Sequence, residues 1–399
     1  MTRDLRVARN RALLTFVLAG LMCGTFTVRI PALTDKLGMS EASVGVVLLA
    51  WGVGALVTMQ AMRGVMARAG SRAVLRVGAP LTAVSLAGVA FAPSVPWVIA
   101  AAAVFGMAFG AVDIAMNAQG STVERAFGRP LMNGMHAGWC VGAMAAGALG
   151  TAAIATGVSF SANLVAVAVV SAPMAFLLSR GYLPDPVAPA PAADRARRRM
   201  PPVVYLLGVI AFCAFMVEGA IADWNGLFLR DTVGAPEAVA ALGYPIFEAG
   251  MLAARLAGDG LRTRLGTRRL IIVSGLGTAA AFALVIATSS ALVAVPGMLL
   301  IGLTVATVSP MAISLAGSAT ATPGPAIAQT SAMGYAGLLL GPVAIGFLSH
   351  AATLRTALGV VVVLGALIAV AARFLPRGPA AAEIAPIPER RAEPVKLAA

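Results

Sequence analysis

The chain repeats itself at a constant offset of 196 residues, and that offset constrains its fold more than any single motif does. Gly64 and Gly70-Ser71-Arg72 return as Gly260 and Gly266-Thr267-Arg268, Gly106 returns as Gly302, and Gly138-Trp139 returns as Gly334-Tyr335. No gap interrupts the correspondence, so the two halves share segment lengths as well as composition. Two same-sense copies of one helical bundle leave this signature in a sequence. The copies are membrane spans: the chain is 59% hydrophobic and 11% charged, against ~25% charged in an average soluble domain. Its mean hydropathy is +0.90.

Twelve apolar segments can be drawn, each near the ~20 residues that cross a bilayer. They cover 12–34, 43–66, 73–92, 97–119, 133–155, 160–180, 203–229, 237–258, 269–288, 291–314, 328–349 and 354–374. The predicted fold is an all-α membrane protein, with twelve transmembrane helices in two pseudo-symmetric six-helix bundles. The predicted division is an N-terminal bundle over 1–181, a flexible cytoplasmic linker over 182–202, a C-terminal bundle over 203–376 and a disordered cytoplasmic tail over 377–399. Pro and Ala dominate the linker, which closes on Asp194-Arg195-Ala196-Arg197-Arg198-Arg199, a basic run suited to anionic lipid headgroups.

Orientation follows from charge. With the N-terminus inside, all but four of the 29 Lys and Arg residues fall on one side, leaving Arg29, Lys36, Arg230 and Arg355 on the other. The positive-inside bias then puts both termini in the cytoplasm, and the expected location is the cytoplasmic (inner) membrane. It also accounts for the net charge of +13 without nucleic acid as a partner. Cys23, Cys140 and Cys213 all lie in apolar runs and read as buried small hydrophobes.

Five motifs then carry a resemblance. Arg29-Ile30-Pro31 closes the first span, and Asp113-x-x-x-Asn117 in the fourth is followed by Glu124. Arg129-Pro130-x-Met132-x-x-x-His136-Ala137-x-Trp139 enters the fifth. Glu218-Gly219-Ala220-x-x-Asp223-Trp224 lies in the seventh, and Tyr335-x-Gly337-x-x-x-Gly341-Pro342 in the eleventh. In this order and in these spans they resemble the MosC-like (rhizopine-transport) branch of the major facilitator superfamily. That superfamily's loop motif, Gly-x-x-x-Asp-Arg-x-Gly-Arg-Arg, is present only in part. The stretch Gly64 to Arg72 keeps glycines and basic residues but is one residue short and lacks the acid, as does its copy Gly260 to Arg268. The resemblance implies a secondary transporter of small polar solutes, with the first, fourth, seventh and tenth spans lining a central cavity.

A charge inside a span costs at least ~2.5–3.5 kcal/mol and needs a partner or a cavity. Glu218, with no local cation between Ala211 and Val217, must find a partner elsewhere or hold a proton. Glu248, whose counterpart at the offset is Gly52, is the second proton-carrier candidate. Asp223 and Arg29 either serve the solute or latch the outer rim. Asn117, Trp224 and Tyr335 complete the candidate set for solute binding and proton coupling, although Trp224, like Trp97, also fits an anchor at the membrane interface. For the cytoplasmic gate the candidates are Asp113, Glu124, Arg129, His136, Arg63, Arg72, Arg255 and Asp259. Asp259 is expected to pair with Arg255 or Arg262 on its own face, or with Arg129 or His136 across to the fifth span. Asp113 and Asn117, at i and i+4 near the expected inner end of the fourth span, fit gate or solute contact. Gly138-x-x-x-Gly142 and Gly337-x-x-x-Gly341 need only close helix packing to explain them.

No phosphate-binding loop, catalytic triad or His-based metal cluster is written in the sequence, whose histidines are two. The expectation is a non-enzymatic, cofactor-free monomer that moves a small polar, sugar-like solute by alternating access, with protons and the lipid bilayer as its further partners. Export of a drug-like molecule, or a non-transporting sensor on the same fold, are the alternatives.

Overall fold

The computed structural model describes residues 3–127, 131–185, 200–319 and 323–376. Among the described residues, twelve helices are long and apolar enough to cross a membrane, and no strand occurs. Successive spans alternate in direction. One face of the molecule, the linker side, therefore carries the start of the first span and both ends of the linker. Residues 186–199 of the linker and the tail from 377 onward lie outside the described residues.

The offset persists in the packing. A Cβ on Gly106 would fall onto the Trp51 carbonyl and one on Gly302 onto the Phe247 carbonyl, the same contact 196 residues on. Gly54 against the Ala103 carbonyl and Gly250 against that of Leu299 repeat the relation. Each half thus clamps its second span to its fourth through a glycine notch, with zero shift in register. The turns after these spans match too: Gly70 adopts φ 75, ψ 165 and Gly266 φ 75, ψ 150, a left-handed region that favours glycine. Gly142 of the fifth span meets the Val17 carbonyl and Gly337 of the eleventh that of Phe212, so these glycines do serve close packing.

The symmetry breaks where proline intervenes. The fourth span is one helix, Val95–Phe127, whereas the tenth is split into Ala291–Val305 and Val308–Ser318. Pro310 has no N–H for the Ala306 carbonyl, and the ladder resumes only with Met311 N to Thr307 O at 3.2 Å. At the corresponding place in the first half stands Ile114, which leaves the helix intact. The first span breaks at Arg29 into Arg3–Val28 and Ile30–Leu37, and the seventh, Pro202–Leu227, ends in a π-turn over Phe228–Thr232.

The fourth span also runs eight residues past its predicted end at 119. Its extension is tied to the segment after the sixth span, Phe160–Ser179. Gln119 exchanges hydrogen bonds with the Leu183 backbone, accepting from N at 2.7 Å and donating to O at 3.0 Å. Asp185 accepts from the Ser71 amide, from Ser71 Oγ at 2.7 Å and from Thr122 Oγ1 at 3.3 Å. A carboxylate thus reaches the acid-less Gly70 turn from 114 residues away. Tyr182, hydrogen-bonded to Thr15, is buried, and burial pushes its phenol up to about 12.

The halves touch most closely on the side opposite the linker. Gly45 of the second span (in the helix Glu41–Ala90) faces Gly346 of the eleventh (Pro323–Ala351). Gly147 of the fifth (Met132–Ala155) lies on Pro245 of the eighth (Gly243–Leu265), and Gly226 on Pro31. Arg230 completes the seal: it pairs with Asp35 at 2.7 Å and donates to the Pro31 carbonyl at 2.9 Å and to Thr34 Oγ1 at 3.3 Å.

Candidate functional site

Between the halves, from mid-depth towards the linker side, lies a cavity of about 620 Å³. Helical periodicity decides which residues reach it. On the seventh span Phe215, Glu218, Ala222 and Asp223 share one face; on the eighth Tyr244, Glu248, Met251, Arg255 and Arg262 do. Trp51 of the second span and Phe109, Asp113 and Asn117 of the fourth face them from the first half.

Glu218 finds the partner that its own helix lacks. Ser309 Oγ of the tenth span donates to its Oε1 at 3.0 Å, and Arg255 Nη2 of the eighth lies 3.8 Å from its Oε2. Ser309 is the counterpart of Asp113 at the offset, so each half aims a polar group into the cavity from the same helical position. The break at Ala306 and Thr307 lies directly before it.

Arg255, one of the partners expected for Asp259, lines the cavity with its guanidinium beside Glu218. Besides Glu218 it reaches across the halves, Nη1 donating to Cys140 Sγ of the fifth span at 3.0 Å. Asp113 is likewise no inner-end residue. With the fourth span continuing to Phe127, it stands 14 residues from the end and lines the cavity. Asn117 Nδ2 donates to its Oδ1 at 3.2 Å, and Tyr335 of the opposite half to its Oδ2 at 3.4 Å.

His136 also lines the cavity, its ring 5.1 Å from that of Phe16. An aromatic wall follows: Trp51 stacks on Phe109 at 5.4 Å, Phe109 meets Trp139 edge-on at 5.7 Å, and Phe215 stacks on Tyr335 at 5.7 Å.

Other candidates stand elsewhere. Trp224 is fully buried and donates to the Pro342 carbonyl at 3.1 Å, so it neither lines the cavity nor anchors at the membrane surface. Arg29 makes no latch with Asp223; it is 3% exposed and donates to the Val158 carbonyl at 3.3 Å. The latch on that side belongs to Arg230, which sequence reasoning passed over. Its signal was the offset itself, since Arg230 stands at the position of its own partner Thr34. Glu124 accepts from the Leu131 amide at 2.6 Å at the linker-side loop, and Arg72 is exposed there. Arg129 and the side chains of Arg63 and Asp259 lie outside the described residues. Among the described residues no His, Cys, Asp and Glu are grouped to hold a metal ion.

Known proteins share this design. The chain is 34% identical over 365 residues to an uncharacterised transporter of Sinorhizobium fredii, covering 90% of this chain and 96% of the relative. It is 28% identical over 368 residues to the membrane protein MosC of Rhizobium meliloti, covering 91% and 88%. Among solved structures, the nucleoside transporter NupG superposes with a TM-score of 0.69 at 16% identity, covering 93% of this chain and 98% of that one. A bacterial homologue of the human lysosomal transporter Spinster, inward-facing and unoccupied, gives a TM-score of 0.73 at 14% identity, covering 94% and 98%. Residues 12–335 match the family model of the Major Facilitator Superfamily. With its twelve spans in two clasped halves around one cavity, this chain belongs to that superfamily of membrane transporters.

Proposed function

We propose that the protein is a proton-coupled secondary transporter that moves a small polar solute across the cytoplasmic membrane by alternating access. The bundles over 1–181 and 203–376 rock about the central cavity, joined by the linker over 182–202. The orientation expected from the basic residues makes the linker side cytoplasmic; on this reading the described conformation is clasped on the outer side by Arg230 and Asp35, with the cavity reaching inward as far as Arg262. One observation carries the coupling: Glu218 sits inside the cavity with one guanidinium and one hydroxyl for company. A carboxyl so placed exchanges its proton with the side to which the cavity opens. Glu218→Gln keeps the shape and removes the exchange. With a solute chosen by vesicle uptake from a panel of sugars, polyols and amines, the variant should retain downhill exchange in proteoliposomes and lose accumulation driven by a pH gradient. Undiminished gradient-driven accumulation would remove Glu218 from the mechanism. The aromatic wall of Trp51, Phe109 and Trp139 supports export of a drug-like molecule as the second reading.

A further inference from the structure

Among the described residues, three of the four carboxylates that line the cavity have no cation of their own. Among the described residues no Lys or Arg pairs with Asp113, Asp223 or Glu248, while Arg255 is engaged by Glu218 and Cys140. Asp113 is satisfied by its hydrogen bonds from Asn117 and Tyr335. Glu248 is not: it is 5% exposed, lines the cavity, and its Oε2 is buried without a hydrogen-bond donor.

Around Glu248, the Tyr244 hydroxyl of its own helix and the Cys140 thiol of the fifth span come near enough for weak hydrogen-bond interaction, and Arg255 of its own helix and Glu218 of the seventh span act on it through charge. A phenol and a thiol do not neutralise a carboxylate, and the one guanidinium is shared with a second acid. Native structures complete such buried acceptors, and an uncompensated buried charge is costlier still. What this carboxylate lacks where the residue lines the cavity is a partner that brings positive charge. The opposite wall supplies the rest of the recognition surface, since the stacked faces of Trp51 and Phe109, with Trp139 beside them, attract flat apolar bodies and cations alike.

We infer that the transported solute is an organic monocation: a protonated amine held at the Glu248 carboxylate, on an apolar or planar body that lies against Trp51, Phe109 and Trp139. The inference rests on the cavity being the transport site and names its substrate class. A neutral solute would fill the aromatic wall but leave Glu248 unmatched, and four carboxylates repel an anion. Gly52 stands opposite Glu248 in the repeat, and Asp113, the first half's carboxylate in the cavity, already has its hydrogen bonds from Asn117 and Tyr335. The amine therefore belongs to one half and the body to the other, so a bound solute bridges the two.

The test is equilibrium binding by calorimetry to the full-length protein in detergent at pH 7, with no gradient. The probes are phenethylamine and tryptamine, their neutral isosteres 2-phenylethanol and tryptophol, and the anion phenylacetate. At least one amine should bind saturably and at least tenfold tighter than its own alcohol, and phenylacetate should not bind. Glu248→Gln should weaken amine binding at least tenfold and leave the alcohol unchanged. Alcohols that bind as tightly as the amines, no amine binding, or amine affinity unaltered by Glu248→Gln would each overturn the inference. Should Glu248→Gln fail to fold, the amine-to-alcohol ratio of the unaltered protein decides alone. Binding without a gradient is independent of the Glu218→Gln assay, so a carrier that is not proton-coupled would fail that test and still pass this one.

Discussion

Removing the Arg230 guanidinium should open the side away from the linker. Three of its contacts cross between the halves and exist only while that side is shut: the ion pair to Asp35, and the hydrogen bonds to Pro31 O and Thr34 Oγ1. Its bond to the neighbouring Asp231, at 2.6 Å, stays within one half and survives opening, so it does not enter the balance. Asp35 is 65% exposed, which holds the ion pair to at most ~1 kcal/mol. The charged donor on the part-buried Pro31 carbonyl contributes about 1.5 kcal/mol or more. Arg230→Ala should therefore shift the closed-to-open balance by roughly 2 kcal/mol, or roughly thirty-fold. A cysteine at Ala222, deep in the cavity, reports the shift when Cys23, Cys140 and Cys213 are replaced by serine. Its alkylation by a membrane-impermeant maleimide on whole cells should quicken by about that factor. Asp35→Asn, which removes only the exposed ion pair, should quicken it by roughly fivefold or less. An unchanged rate in Arg230→Ala, or equal effects of the two variants, would refute the reasoning.

Gly302→Val should lower the melting temperature, at a cost of about 1–3 kcal/mol, because the notch is walled by the Phe247 backbone carbonyl and cannot yield by a rotamer change. Gly88, with nothing within 4 Å of an added Cβ, is the control: Gly88→Ala should be neutral or stabilising by up to ~1 kcal/mol. Asp185→Ala leaves the Ser71 amide, Ser71 Oγ and Thr122 Oγ1 without their shared acceptor. The variant should lose about 1–3 kcal/mol and speed hydrogen exchange at the start of the third span; unaltered exchange there would show that the contact holds nothing.

The sequence by itself determined what depends on periodicity and on the cost of charge in lipid. Twelve apolar runs, a gapless repeat and a one-sided excess of arginine dictate a two-bundle membrane fold, and the glycines repeated at the offset become the notches at Trp51 and Phe247. Their place inside apolar runs also marked Glu218 and Glu248 as charges in need of a partner or a cavity. Which partner each receives was decided by tertiary structure. Arg255 has several carboxylates within reach on its own and neighbouring spans, and one sequence is compatible with more than one choice. Packing of the eighth span against the seventh and fifth selects Glu218 and Cys140. Asp113 looked like a gate residue because hydropathy stops counting a helix once polar residues appear. The fourth span continues because Gln119 and Thr122 find partners in the segment after the sixth. Trp224 reads as an interfacial anchor until Pro342, 118 residues away, offers it a carbonyl. Apolar pattern is local and legible in one dimension; pairings across a cavity depend on which helices lie side by side, and only the folded chain settles that.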